Sequence, residues 1–177
     1  MKKLFLDELQ RIDTPTYQNA AKTPIWVVLD NIRSAHNVGA MFRTADAFRI
    51  EGISLCGITA TPPNKEILKT ALGATETVTW EYVDKIEDSI IRLKEKNYTI
   101  AIVEQTDASV FLQEYIYCDQ KPIAIVLGNE VNGVSEEAIQ LADVALEIPQ
   151  IGTKHSLNVS VCGGIVLWHF YHKYFNS

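Results

Sequence analysis

Short apolar runs rich in β-branched residues alternate along the chain with stretches of helical periodicity. The apolar runs are Ile25–Leu29, Ile53–Leu55, Val78–Trp80, Thr99–Val103, Ile123–Leu127 and Val144–Ile148. The stretches with helical character are Asn37–Phe48, Asp84–Lys96, Ser135–Leu141 and Ser156–Phe175. This alternation is typical of a mostly parallel sheet with helices on both faces, so we predict an α/β fold.

The size and composition fit one globular unit. With 177 residues, of which 47% are hydrophobic, the chain can bury a sizeable core. We predict a helical amino-terminal extension over residues 1–24, beginning with an amphipathic helix, and one domain over residues 25–177. No apolar run approaches the roughly 20 residues that span a bilayer, so no membrane partner is expected. Cys56, Cys118 and Cys162 lie far apart in apolar surroundings, which indicates reduced thiols of a cytoplasmic protein.

Charge and motif content argue against several classes of protein. The net charge of −6 is unlike that of proteins that coat nucleic acid, although the first 75 residues carry nine basic side chains against seven acidic ones. The glycine fingerprint of nicotinamide-dependent oxidoreductases is absent, and Gly128 and Gly133 lack the lysine of a phosphate-binding loop. His169 and His172 have helical spacing but no neighbouring carboxylate or cysteine, so no metal is expected.

Polar residues and glycines lie in three segments that follow predicted strands. These segments are Asn37–Ala45, Leu127–Glu130 and Ile148–Ser160. Because the carboxyl ends of parallel strands share one edge of a sheet, we expect the three segments to form one ligand site.

Each residue of these segments also has an ordinary structural role. Gly128 would let a ligand approach the backbone closely, and Pro149 would form a rigid lip suited to a purine or to packing. Asn158 could bind a ligand or cap the last helix. Arg43 could bind phosphate or point into solvent. Asp30, at the end of the first apolar run, is better interpreted as shaping the next loop than as a base.

The combination is more specific than its parts. The patterns N-x-G-x-x-x-R-T-A at 37–45, L-G-N-E at 127–130 and I-P-x-x-G-x-x-x-S-L-N-V-S at 148–160 occur in this order. With the stretch Lys69–Ala74, they closely resemble the motifs of the SpoU/TrmH family of SPOUT RNA methyltransferases. The resemblance runs from about Ile25 to Trp168, which is nearly the whole chain.

This resemblance implies an S-adenosylmethionine-dependent RNA 2′-O-methyltransferase that works as a homodimer and has a carboxyl-terminal trefoil knot. The residues implied in cofactor binding are Leu127, Gly128, Ile148, Pro149 and Leu157. Those implied in catalysis are Arg43, Asn37, Glu130, Ser156 and Asn158. Arg43 would either accept the proton with help from an RNA phosphate, or hold that phosphate while water or the phosphate takes the proton.

The expected RNA contacts come from the core surface. The candidates are Arg33, His36, Lys154 and His155, with Arg43, Lys65 and Lys69 nearby in sequence. Transfer RNA is slightly favoured over ribosomal RNA, because the chain lacks the added domain common among ribosomal enzymes. The alternative function is a non-catalytic RNA-binding protein on the same fold.

The last helix favours self-association. Gly163 and Gly164 weaken a helix, which predicts close packing of this segment against another backbone. The aromatic residues that follow cover more than one helical face, so we predict that part of this surface contacts a second subunit.

Overall fold

The computed structural model describes residues 1–9, 11–117 and 121–175. The strands of this part are β1 Thr23–Asp30, β2 Ile50–Cys56, β3 Trp80–Val83, β4 Thr99–Val103, β5 Val110–Phe111, β6 Ile123–Leu127 and β7 Val144–Glu147. The helices are α1 Thr14–Asn19, α2 Ala35–Ala47, α3 Lys65–Ala71, α4 Ala74–Thr77, α5 Ile86–Glu95, α6 Glu136–Leu141 and α7 Val159–Phe175.

The strands form one sheet in the order β3-β2-β1-β6-β4-β7-β5, and the paired neighbours are parallel. Side chains of a strand point alternately to the two faces. On β1, Val27 and Leu29 enter a core with α2, α3 and α7, whereas Val28 enters a second core with α5 and α6. The predicted α/β class, with a parallel sheet covered on both faces, is confirmed.

The third strand is displaced from its predicted position. We expected a strand at Val78–Trp80, but β3 begins at Trp80 and continues to Val83. Val78 instead ends α4, because its backbone N–H donates to the carbonyl of Ala74. Val78 is buried in the core at the end of α4, and this burial explains its apolar side chain without a position in the sheet.

Several short elements were not predicted. The strand β5 has two residues, both exposed, and therefore lacks an apolar run of its own. The helices α3 and α4 are also short, with seven and four residues. Elements of this length depend on caps and neighbours more than on periodicity. For example, Asn64 caps α3 through its side-chain oxygen, which accepts from the N–H groups of Glu66 and Ile67.

The amino-terminal segment has less helix than predicted. Among the described residues before Asp13, regular structure is confined to a 3₁₀ turn at Leu6–Leu9. The helix α1 then begins after Asp13, whose carboxylate accepts from the Thr16 N–H at 2.9 Å. The division into an extension over 1–24 and a domain over 25–177 stays a prediction. Among the described helices, none has the length and apolar character needed to cross a membrane.

The two glycines of α7 have different surroundings. A Cβ on Gly163 would lie 2.7 Å from the Met41 sulfur and 2.8 Å from a Leu127 methyl, so this glycine allows side chains to pack closely. A Cβ on Gly164 would meet nothing within 4 Å. The prediction of close backbone packing is therefore wrong within one copy of the chain.

The described cysteines are free thiols. Burial raises the pKa of Cys56 to about 12 and that of Cys162 to about 11, so both stay protonated at neutral pH. Cys118 lies outside the described residues.

Candidate active site

Glu130 joins the first two motifs at the carboxyl edge of the sheet. Its carboxylate accepts from the backbone N–H groups of Arg33 and Ser34 at 2.9 and 3.1 Å, and from the Asn37 side-chain amide at 3.0 Å. Partial burial opposes ionisation, but these hydrogen bonds outweigh it and lower the pKa of Glu130. The carboxylate is therefore a charged acceptor at neutral pH, held by the loop before α2.

Asn158 joins the third motif to the first. Its side-chain oxygen accepts from the N–H groups of Ser160 and Val161 at 3.0 and 3.4 Å, and so caps α7. Its amide nitrogen donates to the side-chain oxygen of Asn37 at 3.2 Å. Asn158 thus has the capping role and a site role at once, and the three motifs form one chain of hydrogen bonds.

The loop after β6 turns back on itself. Asn129 pairs with Gly133 in an antiparallel bridge, and the Asn129 side-chain oxygen accepts from the N–H groups of Val131 and Asn132. A Cβ on Gly128 would lie 2.2 Å from the backbone of both Gly133 and Val134. The chain's own backbone therefore approaches Gly128 closely, and the approach of a ligand to this glycine stays a prediction.

Part-buried hydrogen bonds attach this loop to its neighbours. Asp30, at the end of β1, accepts from the Ser135 N–H at 2.8 Å and from the Asn31 amide at 2.8 Å. Asn129 donates to the Asn31 carbonyl at 2.6 Å. Asp30 thus holds its neighbour Asn31 and the Ser135 end of the loop after β6, and its interpretation as a loop-shaping residue stays a prediction. Ser135 stands at the start of α6, but its hydroxyl makes no capping hydrogen bond.

A cavity of about 690 Å³ opens between the loops that follow β4, β6 and β7. Its lining includes Leu127, Gly128, Ile148 and Leu157 from the predicted cofactor residues. It also includes Glu130, His155, Ser156 and Asn158 from the predicted catalytic and RNA-binding residues. Pro149 lies elsewhere: with Ile148, it lines a neighbouring apolar hollow of about 370 Å³ against Trp168 of α7.

The cavity wall carries acidic residues that were not predicted, and two of them lie at strand ends. Glu104 follows the last residue of β4, and Glu147 is the last residue of β7. The position of Glu104, directly after an apolar run, is the same signal that pointed to the loops after β1 and β6. Neither residue belongs to the three motifs, so the family resemblance did not name them as site residues.

The basic candidates lie outside the cavity or at its rim. Arg43 is exposed on α2, with no hydrogen bond or ion pair to any residue that the structure describes. The Nε2 atom of His36 lies 2.6 Å from a carboxylate oxygen of Glu66 on α3, and both side chains are about half exposed. Lys154 and His155 are exposed in the loop before α7. Arg43, Lys154 and His155 are thus exposed to a polyanion, whereas His36 is already in contact with the Glu66 carboxylate.

The two histidines of α7 belong to its aromatic surface. His169 contacts the edge of Phe170, and burial lowers its pKa. His172 lies against Trp168. In the described ranges, no group of three histidine, cysteine or acidic side chains has the arrangement of a metal site.

Solved structures resemble this fold closely. An S-adenosylmethionine-bound rRNA methyltransferase from Sinorhizobium meliloti superposes with a TM-score of 0.80 at 27% identity, covering 93% of this chain and 62% of that one. The TrmH/SpoU tRNA-modifying enzyme of Aquifex aeolicus gives 0.78 at 29% identity, covering 88% and 77%. The SPOUT-type α/β sheet is thereby confirmed, and the knot stays a prediction.

Sequence comparison finds relatives of the same kind. The chain is 35% identical over 151 residues to the 23S rRNA (guanosine-2′-O-)-methyltransferase RlmB of Neisseria meningitidis serogroup B, covering 85% of this chain and 59% of that protein. It is 35% identical over 143 residues to the tRNA (guanosine(18)-2′-O)-methyltransferase of Thermus thermophilus, covering 80% and 71%. The chain thus spans less than two thirds of some relatives. Residues 24–168 match the model of the SpoU rRNA methylase family, and the chain belongs to that family.

Proposed function

We propose that this chain transfers a methyl group from S-adenosylmethionine to a ribose 2′-hydroxyl of RNA, as a cytoplasmic homodimer. The observation that carries the proposal is the hydrogen-bonded series Glu130, Asn37 and Asn158 beside the cavity. The Neisseria and Thermus relatives are named as guanosine 2′-O-methyltransferases of rRNA and tRNA, which supports the reaction and the class of substrate.

The cavity suits this cofactor in size and chemistry. Its volume of about 690 Å³ lies within the usual range of small-molecule sites. Apolar side chains of Leu127, Ile148 and Leu157 offer packing for a purine, and carboxylates and backbone groups offer polar contacts. When bound, the cofactor supplies a methyl group on a positively charged sulfur, which is already electrophilic.

The protein then has to align a 2′-oxygen with that methyl group and allow the 2′-proton to leave. The Glu130, Asn37 and Asn158 series offers fixed polar atoms beside the cavity, and Ser156 adds an exposed hydroxyl to its lining. A guanidinium is a permanent cation that suits phosphate. We therefore assign Arg43 to the phosphate beside the target ribose, with proton acceptance by Arg43 itself as the alternative role.

The RNA surface would surround the cavity mouth. Arg33 lies in the loop held by Glu130, His36 lies on the first turn of α2, and Lys154 and His155 lie in the loop before α7. We favour tRNA over rRNA as the substrate. Because the chain carries net charge −6, RNA binding should be weak and salt-dependent.

An apolar stripe on α7 supports the homodimer. Val161, Ile165 and Trp168 recur at helical spacing, and their exposed fractions are 53%, 40% and 53%. Gly164 lies in the same segment with open space beside it. A contiguous exposed apolar surface of this kind is typical of a protein interface. The stripe adjoins the hollow at Ile148 and Pro149, so the interface would lie next to the proposed site.

The test is methyl transfer from labelled S-adenosylmethionine to separated, unmodified tRNA and rRNA pools. Arg43→Ala is measured alongside, and Arg11→Ala, at an exposed arginine in the amino-terminal segment, is the control. We expect ribose label in the tRNA pool, lost with Arg43→Ala and kept with Arg11→Ala. Ribose label in the rRNA pool would overturn the tRNA preference.

One alternative has a distinct signature in the same assay. A non-catalytic RNA-binding protein on this fold would bind RNA without transferring label to it. RNA binding without detectable cofactor binding would therefore replace the proposed reaction with that alternative.

A further inference from the structure

Glu104 presents a rigidly held carboxylate to the cavity. Its Oε1 atom accepts from the Gln105 N–H at 2.9 Å, and its Oε2 atom accepts from the Val134 N–H at 3.0 Å. The residue follows β4, which lies between β6 and β7 in the sheet. Two loops therefore position one side chain on the cavity wall.

Gly133 makes this position possible. It has φ +71°, and a Cβ there would lie 2.2 Å from the Glu104 Oε2 atom. The carboxylate thus occupies the space that any other residue at 133 would fill with its side chain. A shift of the carboxylate away from its two N–H donors would break both hydrogen bonds.

The remaining hydrogen-bonding capacity of Glu104 indicates what it can bind. An ionised carboxylate accepts about four hydrogen bonds, two at each oxygen. One acceptor position on each oxygen is used by backbone, so one on each is left. Two adjacent acceptors fixed in this way match two adjacent hydroxyl donors, as in the 2′,3′-diol of a ribose. Carboxylates bind ribose hydroxyls in the same manner in dinucleotide-binding folds.

The other carboxylates of the lining are less suited to this role. Glu130 already accepts three hydrogen bonds from the loop before α2 and from Asn37. Glu147 has only its Oε2 atom fixed by a described residue, through the Ser109 hydroxyl at 2.8 Å, so its two oxygens are not held as a pair. Glu136 is exposed on the first turn of α6. The cavity lining also has one basic side chain among the described residues, the exposed His155.

We propose that Glu104 is a specificity residue that accepts hydrogen bonds from the ribose diol of the bound cofactor. This inference rests on the proposed function, because it places S-adenosylmethionine in the cavity. It concerns ligand recognition and not the methyl transfer itself. S-adenosylhomocysteine, which keeps the diol but lacks the methyl group and the sulfonium charge, is therefore the probe of choice.

The experiment is calorimetric titration of the full chain with S-adenosylhomocysteine and with its 2′-deoxy and 3′-deoxy analogues. Wild type should bind each deoxy analogue about tenfold more weakly, the effect of one hydrogen bond to a charged group. Glu104→Gln should bind S-adenosylhomocysteine more weakly than wild type does. Removal of either hydroxyl from the ligand should then change the affinity of Glu104→Gln much less than it changes the affinity of wild type. Glu137→Gln, which removes a charge from the exposed first turn of α6 outside the cavity lining, should behave as wild type.

The outcomes separate the possible roles. If wild type binds the deoxy analogues as tightly as the parent, Glu104 does not bind the diol; this test needs no variant. If Glu104→Gln weakens all ligands by the same factor, the residue only holds the loop, and the proposal is wrong. If it weakens S-adenosylmethionine but not S-adenosylhomocysteine, the carboxylate acts on the sulfonium charge, and the proposal is again wrong.

Two further results keep the test decisive. Should Glu104→Gln unfold, Glu104→Asp retains the charge but withdraws it by one methylene, and we expect the same reduced sensitivity to the two hydroxyls. If the wild-type chain binds neither S-adenosylmethionine nor S-adenosylhomocysteine, the proposed function fails together with the diol assignment. Tight binding without diol dependence overturns the assignment alone.

Discussion

The Asn158 amide donates to the side-chain oxygen of Asn37 at 3.2 Å, across 121 positions of sequence. The same Asn158 uses its oxygen to cap α7, so the start of the last helix is tied to the first motif. This one side chain couples the stability of a helix to the geometry of the proposed site, and substitutions can separate the two roles.

Asn158→Ala removes both the cap of α7 and the hydrogen bond to Asn37. Asn158→Asp keeps an oxygen that can cap α7 but has no N–H to donate to Asn37. We expect Asn158→Ala to lower the free energy of unfolding by about 1 kcal/mol. Asn158→Asp should stay close to wild type in stability. Both should reduce methyl transfer about tenfold, as expected for the loss of one positioning hydrogen bond. Urea denaturation and the RNA assay measure the two effects, and full transfer by Asn158→Asp would show that the link is dispensable.

Glu130 should contribute a pH-dependent part of the stability. Its folded pKa lies below the ordinary value of 4.5, so between the two values the unfolded chain binds a proton that the folded chain does not. The contribution is present above pH 4.5 and is lost as the pH falls through the folded pKa. The melting temperature of wild type should therefore fall more steeply below this pH than the melting temperature of Glu130→Gln. Parallel curves for the two proteins would contradict the assignment.

Gly133→Ala and Gly73→Ala form a matched pair. Both glycines have positive φ, +71° and +90°, but a Cβ meets Glu104 at residue 133 and nothing within 4 Å at residue 73. Gly73→Ala should cost about 1 kcal/mol for the backbone conformation alone. Gly133→Ala should cost roughly 1–3 kcal/mol more, because the Glu104 carboxylate must move. Urea denaturation compares the pair, and equal losses would mean that Glu104 moves away without cost.

Val161→Glu should separate the subunits. Val161 is 53% exposed on the apolar stripe of α7, and a buried carboxylate without a partner opposes association. We expect a monomer in sedimentation with little change in the unfolding of the single chain. Ile91→Glu is the control, since Ile91 is 46% exposed on α5, away from that stripe. A wild-type monomer, or a dimer that tolerates Val161→Glu, would contradict the proposed interface.

The predictable part of the site followed from strand direction. Loops after parallel strands meet at one edge, so the grouping of the motif at Leu127–Glu130 with the one at Ile148–Ser160 could be expected from the order of apolar runs. The hydrogen-bond partners of each side chain could not be predicted in this way. Glu130 accepts from the Arg33 N–H because β6 pairs with β1, and no local pattern specifies that pairing.

Local packing explains the errors in the fold. Val78 has the residue type of a strand but serves as the end of α4, where Gly73 in a left-handed conformation starts a new helical turn. Gly128 lines the cavity, and the returning backbone at Gly133 and Val134 occupies the space that a Cβ at this position would need. Both features depend on neighbours that short-range periodicity does not reveal.

The strand order has a consequence for how the molecule is made. Strand β1 pairs with β2 on one side and with β6 on the other, and β6 begins only at Ile123. During synthesis, one edge of β1 therefore has no native partner until most of the chain has emerged, and such an edge is prone to pair with other chains. Glu130, Glu104 and Asn158 reach their contacts only after that pairing. A truncated chain would thus be both inactive and prone to aggregate, and refolding should be slow for a protein of this length.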